Sequence, residues 1–182
     1  QETARGRIPS RRADRINAHY TDPRVAQAMW QAITDLGFES GRVLEPGSGS
    51  GTFIGTAPEG ADMTGVELDP VTAAISQAVY PDATIRTESF ADTAVPDDYF
   101  DVVIGNVPFG QNVLHDPRHN PDRHSMHNHF ILKSLDLVKP GGIVGVISST
   151  YTLDAQNSAA RQAMHEKADL LTAVRPVSYT HL

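Results

Sequence analysis

The chain has 182 residues, 40% of them hydrophobic, which suits one domain with a sizeable buried core. It contains no cysteine, which excludes disulfides, cysteine-ligated zinc sites and thiolate nucleophiles. Methylation of a cytosine ring carbon normally needs such a nucleophile, so that reaction is excluded too. No apolar run approaches the roughly 20 residues that cross a bilayer, so we expect a soluble, cytoplasmic protein. The net charge of −7 is unfavourable for a protein whose whole surface binds nucleic acid. A nucleic-acid substrate would therefore have to bind a local basic face or another part of a longer protein.

The two ends differ in composition from the stretch between them. Residues 1–18 are polar and Arg-rich without periodicity, which predicts a linker or arm. The chain begins with Gln1 rather than Met, so we expect a piece of a longer protein. Residues 177–182 break the preceding pattern and are either an ordinary loop or a non-native tail. Residues 19–176 are the expected core domain.

Short apolar runs alternate with helical periodicity along this core. Thr21-Asp22-Pro23 predicts a helix start, and Gly37 ends that helix. Strands alternating with helices indicate an α/β fold, a mostly parallel sheet covered on both faces. A helix over 70–80 places Val71, Ile75 and Val79 on one face. The other predicted helices span 130–138 and 158–168, and strands are predicted at 43–44, 63–67, 83–86, 101–106, 143–148 and 170–174.

A glycine-rich turn follows the first predicted strand, with Gly47, Gly49 and Gly51. Glycines let the backbone turn tightly and approach a ligand closely. The next strand ends in Glu67, where a carboxylate can accept hydrogen bonds from both hydroxyls of a ribose. Such a site suits a nicotinamide dinucleotide or S-adenosyl-L-methionine. The spacing departs from Gly-x-Gly-x-x-Gly, and Glu45 would repel a pyrophosphate but attract an ammonium group, so we expect S-adenosyl-L-methionine.

The predicted strand 101–106 runs into Asn106-Val107-Pro108-Phe109. An exocyclic amine on a nucleobase is a poor nucleophile, because its lone pair is delocalised into the ring. Hydrogen bonds from its two N–H groups to an amide oxygen and a fixed carbonyl would aim that lone pair at a methyl carbon. Asn106 and Val107 supply the acceptors, Pro108 fixes the turn, and Phe109 offers a ring that stacks on the base. These four residues are the predicted catalytic set.

These motifs resemble the amino-methyltransferases, which carry Asn-Pro-Pro-Phe or Asn-Pro-Pro-Tyr after the fourth strand. The chain is similar to the adenine-specific DNA methyltransferase segment of very large bacterial and phage proteins that also carry a helicase, including phage antirestriction proteins. The resemblance implies a Rossmann-like class I S-adenosylmethionine-dependent methyltransferase fold with truncated C-terminal strands. It also implies adenine in DNA as the acceptor and a helicase region in the same longer chain as a partner. It rests on residues 18–23, 43–55, 65–70, 105–110 and 138–142.

The resemblance further implies which residues bind the cofactor. Tyr20 and Thr21 would contact its methionine portion, and Glu67 would hold the ribose. Ser89 stands where the family usually has the Asp that lies beside the cofactor adenine. The contact to the adenine is therefore left open, and Glu88 could provide it instead. Val107 replaces the usual first proline, which keeps the carbonyl but makes the turn less rigid. The implied set is Tyr20, Thr21, Glu45, Gly47, Gly49, Gly51, Glu67, Leu68, Ser89 and Phe90.

Five histidines, at positions 115, 119, 124, 127 and 129, lie in or beside a long predicted loop. They have no regular frame, so we expect no metal site. The loop is expected to be either solvated or a mobile lid over the target base. Trp30 is expected in the core, and Tyr151 either flanks a flipped base or lies on the surface.

Two alternatives stay open on the sequence. The same motif serves enzymes that methylate RNA guanine or a glutamine side-chain amide. The chain could also be a catalytically inactive cofactor-binding module in a helicase-type protein. The intact Asn106–Phe109 stretch and Glu67 favour an enzyme.

Overall fold

The computed structural model describes residues 21–175, so Tyr20, the predicted arm and the predicted tail lie outside the described residues. Most predicted helices and strands are present, with ends shifted by a few residues. The elements in chain order are α1 (Pro23–Asp35), β1 (Gly41–Pro46), α2 (Thr52–Gly55), β2 (Ala61–Glu67), α3 (Pro70–Val79), β3 (Thr84–Thr87), β4 (Phe100–Asn106), α4 (Met126–Leu137), β5 (Val138–Ile147), α5 (Tyr151–Asp154) and α6 (Ala159–His165).

Five parallel strands form one sheet in the order β3-β2-β1-β4-β5. The predicted parallel α/β architecture is confirmed. The chain builds outward from β1 in one direction through β2 and β3, then returns to add β4 and β5 on the other side. The strand order therefore reverses between β1 and β4, and the carboxyl ends of these two strands flank a crevice of the kind that binds ligands in open α/β sheets.

Apolar side chains cover both faces of the sheet, as expected for buried parallel strands. Adjacent residues of a strand point to opposite faces, so Val43 packs in one core cluster and Leu44 in the other. The first cluster contains Trp30 of α1 and Phe53 of α2. The second contains Phe130 of α4. The sheet is thus held between α1 and α2 on one side and α4 on the other.

The first helix begins and ends where the sequence predicts. The Asp22 side chain accepts a hydrogen bond from the Arg24 N–H at the start of α1, and Pro23 occupies the first turn. Gly37 follows the helix with φ of 104°, which a residue with a Cβ rarely adopts. Trp30 is 3% exposed and donates to the Phe53 carbonyl at 3.0 Å, which confirms it as a core residue.

Helix α3 presents its apolar stripe to solvent. Val71, Ile75 and Val79 share one face as predicted, but they are 65%, 54% and 59% exposed. The buried residues of α3 are small, Ala73 and Ser76. Small residues let α3 lie close to the turn after β1, because a Cβ at Gly51 would lie 2.9 Å from the Ser76 hydroxyl oxygen. The close approach of α3 to the backbone at Gly51 therefore selects the face of α3 that carries small residues as its buried face.

The predicted strand over residues 170–174 is not formed in the described part of the chain. Residues 169–175 have no regular secondary structure, and Leu170, Leu171 and Val174 are 71%, 67% and 82% exposed. A strand needs hydrogen-bonding partners on a neighbouring strand. The sheet formed by the described residues ends at β5.

Within residues 21–175, no helix is both long enough and apolar enough to cross a membrane.

The exposed face of α3 gives a direct test of the packing. Ile75→Gln should change the free energy of unfolding by less than about 0.5 kcal/mol, because the side chain already contacts water. Ile33→Ala, at a residue that is 3% exposed, should cost about 2–5 kcal/mol. Chemical denaturation measures both changes. A loss for Ile75→Gln as large as that for Ile33→Ala would show that this face of α3 is covered in the folded protein.

Candidate active site

The carboxyl ends of three parallel strands bring the main predicted site residues to one edge of the sheet. Glu45 lies near the end of β1, Glu67 ends β2 and Asn106 ends β4. The register pairs Glu45 with Gly65 on β2 and Leu44 with Val103 on β4, so all three strands leave the sheet at the same edge. A ligand at the β1–β4 crevice would meet residues from both motifs.

The glycine-rich turn after β1 depends on its glycines. Gly47, Gly49 and Gly51 have φ of 69°, 53° and 82°, in the left-handed region that side chains disfavour. The Ser48 N–H donates to the Val66 carbonyl at 2.8 Å, and the Gly49 N–H donates to Glu67 Oε2 at 2.8 Å. These hydrogen bonds hold the turn against the end of β2. They fix the distance between the glycine-rich turn and Glu67, the two predicted parts of the cofactor site.

Glu45 is a buried carboxyl with an unused oxygen. It is 2% exposed, and its Oε2 has no hydrogen-bond partner among the described residues. Burial raises the pKa of Glu45 well above the ordinary value of 4.5, the N–H groups of Phe53 and Ile54 oppose that shift, and nearby Glu67 adds to it. A cation beside this carboxyl, such as a ligand ammonium group, would stabilise its ionised form.

The carboxylate of Glu67 is held by two backbone N–H groups. Its Oε1 accepts from Asp69 and its Oε2 from Gly49, each at 2.8 Å. Each carboxylate oxygen has a second lone pair, so the group can still accept hydrogen bonds from two hydroxyls. Leu68 follows directly and is 70% exposed, which leaves an apolar side chain beside this carboxylate.

Asn106 and the residues after it are held by partners on both sides. The Asn106 side-chain Nδ2 donates to the hydroxyl of Thr21 at 3.2 Å. Val107 is 1% exposed, and its N–H donates to the Ile147 carbonyl of β5 at 3.0 Å. A proline at 107 could not make that bond, so the hydrogen bond offsets the rigidity expected to be lost with the ring. Phe109 lies partly buried in the same turn.

The two predicted motifs lie next to each other. A Cβ at Gly47 would be 3.6 Å from Pro108 Cδ and 3.6 Å from the Phe130 ring. The glycine-rich turn and the Asn106–Phe109 turn are therefore in direct proximity. The resemblance implies Thr21 as a cofactor contact. In the structure its hydroxyl accepts a hydrogen bond from the Asn106 amide, so Thr21 also lies beside the second turn.

The predicted contacts to the cofactor adenine lie in the turn after β3. The Ser89 hydroxyl accepts from the Ala91 N–H at 3.3 Å, and Glu88 pairs with Arg86 at 2.6 Å. Phe90 is 3% exposed, and its ring centroid lies 4.8 Å from that of Phe130. Ser89 and Glu88 thus lie nearer the solvent than Phe90, which packs in the core. The adenine contact stays a prediction.

The expectation of a solvated histidine loop is wrong for much of this stretch. His119 is 8% exposed, and His127 and His129 belong to α4, where they are 2% and 0% exposed. Asn120 folds the loop on itself, because its side chain accepts from the His124 N–H at 2.8 Å. Asp116 accounts for the burial of His129, since it bonds to His129 and Lys133. The spacing of a histidine and a lysine four residues apart on one helix was the available signal.

Residues 21–175 contain no group of three or more His, Cys, Asp or Glu side chains that could hold a metal ion.

Residues 66–176 match the Eco57I restriction-modification methylase family. The chain belongs to this family. Over 165 residues it is also 33% identical to the Defense against restriction protein B of Escherichia phage P1, a match that covers 88% of this chain but only 7% of the phage protein.

Solved structures give the same fold. A modification subunit assigned to a type I restriction enzyme of Vibrio vulnificus superposes with a TM-score of 0.67 at 18% identity, covering 85% of this chain and 39% of that one. A protein of Listeria monocytogenes assigned to the class I S-adenosylmethionine-dependent methyltransferases superposes with a TM-score of 0.60 at 15% identity, covering 79% and 49%. The chain therefore has the Rossmann-like class I methyltransferase fold, and it spans less than half the length of these proteins.

The raised pKa of Glu45 predicts the direction in which stability changes with pH. Because its folded pKa is raised, the folded state holds a proton that the unfolded state has lost, and stability falls as pH rises from about 4.5 through the raised pKa. Glu45→Gln should abolish this fall. It should also weaken binding of S-adenosyl-L-methionine by about 1.5–3 kcal/mol above the raised pKa, where the wild-type carboxyl is ionised.

Thermal melts and calorimetry across the pH range, on wild type and Glu45→Gln, measure both effects. Asp62→Asn is a control at an exposed carboxyl on β2. Parallel stability curves for wild type and Glu45→Gln would contradict the assignment of this pH dependence to Glu45.

Proposed function

We propose that this protein transfers a methyl group from S-adenosyl-L-methionine to the exocyclic amino nitrogen of adenine in DNA. Its family and fold make it an S-adenosylmethionine-dependent methyltransferase of the restriction-modification type. The observation that carries the finer proposal is the proximity of two turns. The Glu45–Gly51 turn suits the cofactor, and the Cβ position of its Gly47 lies 3.6 Å from Pro108 of the Asn106–Phe109 turn.

S-adenosyl-L-methionine is the cofactor, and the residues present fit it. The unused Oε2 of buried Glu45 suits its ammonium group, and the fixed carboxylate of Glu67 suits its ribose hydroxyls. Leu68 offers an apolar surface for the adenine ring. When bound, the sulfonium supplies an electrophilic methyl group.

The protein's own contribution is to orient the amine. Because Asn106 Nδ2 donates to Thr21, the side-chain oxygen is the atom that can accept from one N–H of the target amine. The carbonyl of Val107 would accept from the other, and its backbone is held by the bond to Ile147. Two such acceptors favour a pyramidal nitrogen with its lone pair directed at the methyl carbon. The amine can lose its proton to water after transfer, so no general base is needed.

Phe109 would stack on the target base once that base leaves the duplex. Base flipping is needed because an amino group inside a duplex is out of reach of a residue at a sheet edge. Stacking on an aromatic ring is worth roughly 1–3 kcal/mol per base and does not depend on the base identity. Phe109 therefore supports binding of a flipped base, while Asn106 and Val107 support chemistry on its amine.

The family supports the choice of DNA, whereas the choice of adenine rests on the resemblance of the Asn106–Phe109 motif to adenine-specific enzymes. The match to a restriction-modification methylase favours DNA over RNA or protein. The similar phage protein is named for defence against restriction, a process that acts on DNA. A helicase region in a longer chain stays a prediction. Methylation of RNA or a glutamine amide uses the same orienting residues and is an outcome of the test below.

Asn106→Ala should lower kcat by about 10²–10³-fold, the usual cost of removing one hydrogen-bonding group that acts in a transition state. Its affinity for S-adenosylhomocysteine should stay unchanged. Phe109→Ala should weaken binding of the base, whereas Phe109→Tyr should be tolerated because the ring remains. The assay is transfer of labelled methyl groups to PCR-amplified DNA, followed by digestion and identification of the modified nucleoside.

Thr21 provides a matched pair of controls for this assay. Thr21→Ser keeps the hydroxyl that contacts Asn106, and Thr21→Val removes it at similar volume, so only the valine variant should lose rate. An Asn106→Ala protein as active as wild type would contradict the mechanism. Label only in RNA or protein would keep the mechanism and change the acceptor. Cofactor binding without transfer to DNA, RNA or protein would favour the inactive-module alternative.

A further inference from the structure

Helix α4 contacts each of the loops that form the proposed site. Its Phe130 ring lies 3.6 Å from the Cβ position of Gly47. The ring Nδ1 of His127 lies 3.2 Å from the carbonyl of Gly110, directly after the Asn106–Phe109 turn. Lys133 Nζ donates to the Ala91 carbonyl at 3.1 Å, beside Ser89 and Phe90. Phe130 follows His127 by three residues and Lys133 follows Phe130 by three, so the three side chains lie on one side of the helix.

Lys133 also holds the chain that follows the Asn106–Phe109 turn. Its Nζ donates to Asp116 Oδ2 at 2.9 Å, and Nε2 of His129 lies 3.1 Å from the same oxygen. Asp116, His129 and Lys133 are 6%, 0% and 1% exposed. The Phe90 ring lies 5.1 Å from Lys133 Nζ and covers it. We name Asp116, His129 and Lys133 the buried network.

The charge states within the buried network follow from its contacts. Burial alone raises the pKa of Asp116, but the hydrogen bonds from Lys133, His119 and His129 outweigh it and bring the pKa to about 2. Burial lowers the pKa of His129. The network therefore contains an ionised carboxylate, a lysine and a neutral imidazole that donates from Nε2.

Stability alone does not account for such a network. A buried ion pair gains little over well-packed apolar residues of similar volume, because both charges must be desolvated. A directional hydrogen-bonded pair does fix the relative position of the segments that carry it. Here those segments are α4, the turn at Ala91 and the loop at Asp116, which frame the cofactor and target-base sides of the proposed site.

We propose that the buried network, together with the His127–Gly110 contact, is a positioning device that sets the Asn106–Phe109 turn against the cofactor. In this role the residues act through their contacts with Ala91, Gly110 and Asp116 and need not touch the cofactor or the base. This proposal rests on the proposed function for its effect on rate, and on the structure alone for its effect on the loop.

The test replaces the ion pair with an apolar pair, Asp116→Leu with Lys133→Met. We expect a lower melting temperature, because His129 Nε2 and the His119 N–H lose their acceptor. A purely structural role would leave kcat unchanged at temperatures where the variant is folded, whereas a positioning role would not. Affinity for S-adenosylhomocysteine should stay within about three-fold of wild type. We expect kcat to fall roughly ten- to hundred-fold, the cost of a small misplacement of reacting groups. Hydrogen exchange in residues 107–120 should become faster.

The matched control is the exposed pair Arg118–Asp97, which joins the same loop at 2.6 Å with 63% and 42% of the two side chains exposed. Arg118→Gln, which breaks this pair and leaves Asp97 beside His119, should leave rate and exchange unchanged. Wild-type kcat and exchange in the apolar double variant would overturn the proposal. If wild type methylates no acceptor, the proposed function fails, and the exchange of residues 107–120 still decides the positioning role.

The single variants at His127 keep the proposal testable if the double variant does not fold. His127→Gln retains an N–H donor for the Gly110 carbonyl, and His127→Leu removes it. Exchange at residues 107–120 should increase in the leucine variant and return toward wild type in the glutamine variant. Equal exchange in wild type and His127→Leu would overturn the proposal.

Discussion

The reversal of strand order between β1 and β4 is the constraint on which the proposed site depends. Parallel strands send their connecting turns to the same edge, and only at a reversal do turns from two strands diverge and leave a crevice. One of these turns carries Glu45 and the glycines, and the other carries Asn106. Because they come from neighbouring strands, Gly47 and Pro108 meet without any long-range movement of the chain. The remaining contacts refine the position of these two turns.

Buried polar groups at this edge divide into two kinds. Asp116 and Lys133 satisfy one another and hold the loop after Asn106 to α4. Glu45 keeps an oxygen without a partner among the described residues, at a free-energy cost that a bound cation would relieve. Glu67 is intermediate, since backbone N–H groups fix its direction while lone pairs remain for a ligand. The carboxylates at the proposed ligand site thus retain bonding capacity, whereas Asp116 uses its oxygens to hold the loop.

The sequence predicted the parts of the fold that depend on local pattern. Glycine spacing, the Asp22-Pro23 helix start and the buried runs of β1 and β4 follow from conformation and hydrophobicity over a few residues. The buried face of α3 did not follow, because the approach of α3 to Gly51 selects small residues over the apolar stripe. The burial of His129 and Lys133 also did not follow, since their partner Asp116 comes from a loop with no periodicity. Thr21 was predicted for the cofactor, and its contact with Asn106 spans 85 residues that no local pattern connects.

A crystal structure with S-adenosylhomocysteine bound tests the central claim most directly. The account predicts the ribose hydroxyls on the Glu67 carboxylate, the amino group on the side of Glu45, and the sulfur facing the Asn106–Phe109 turn. Binding elsewhere, or with the sulfur directed away from Asn106, would contradict it.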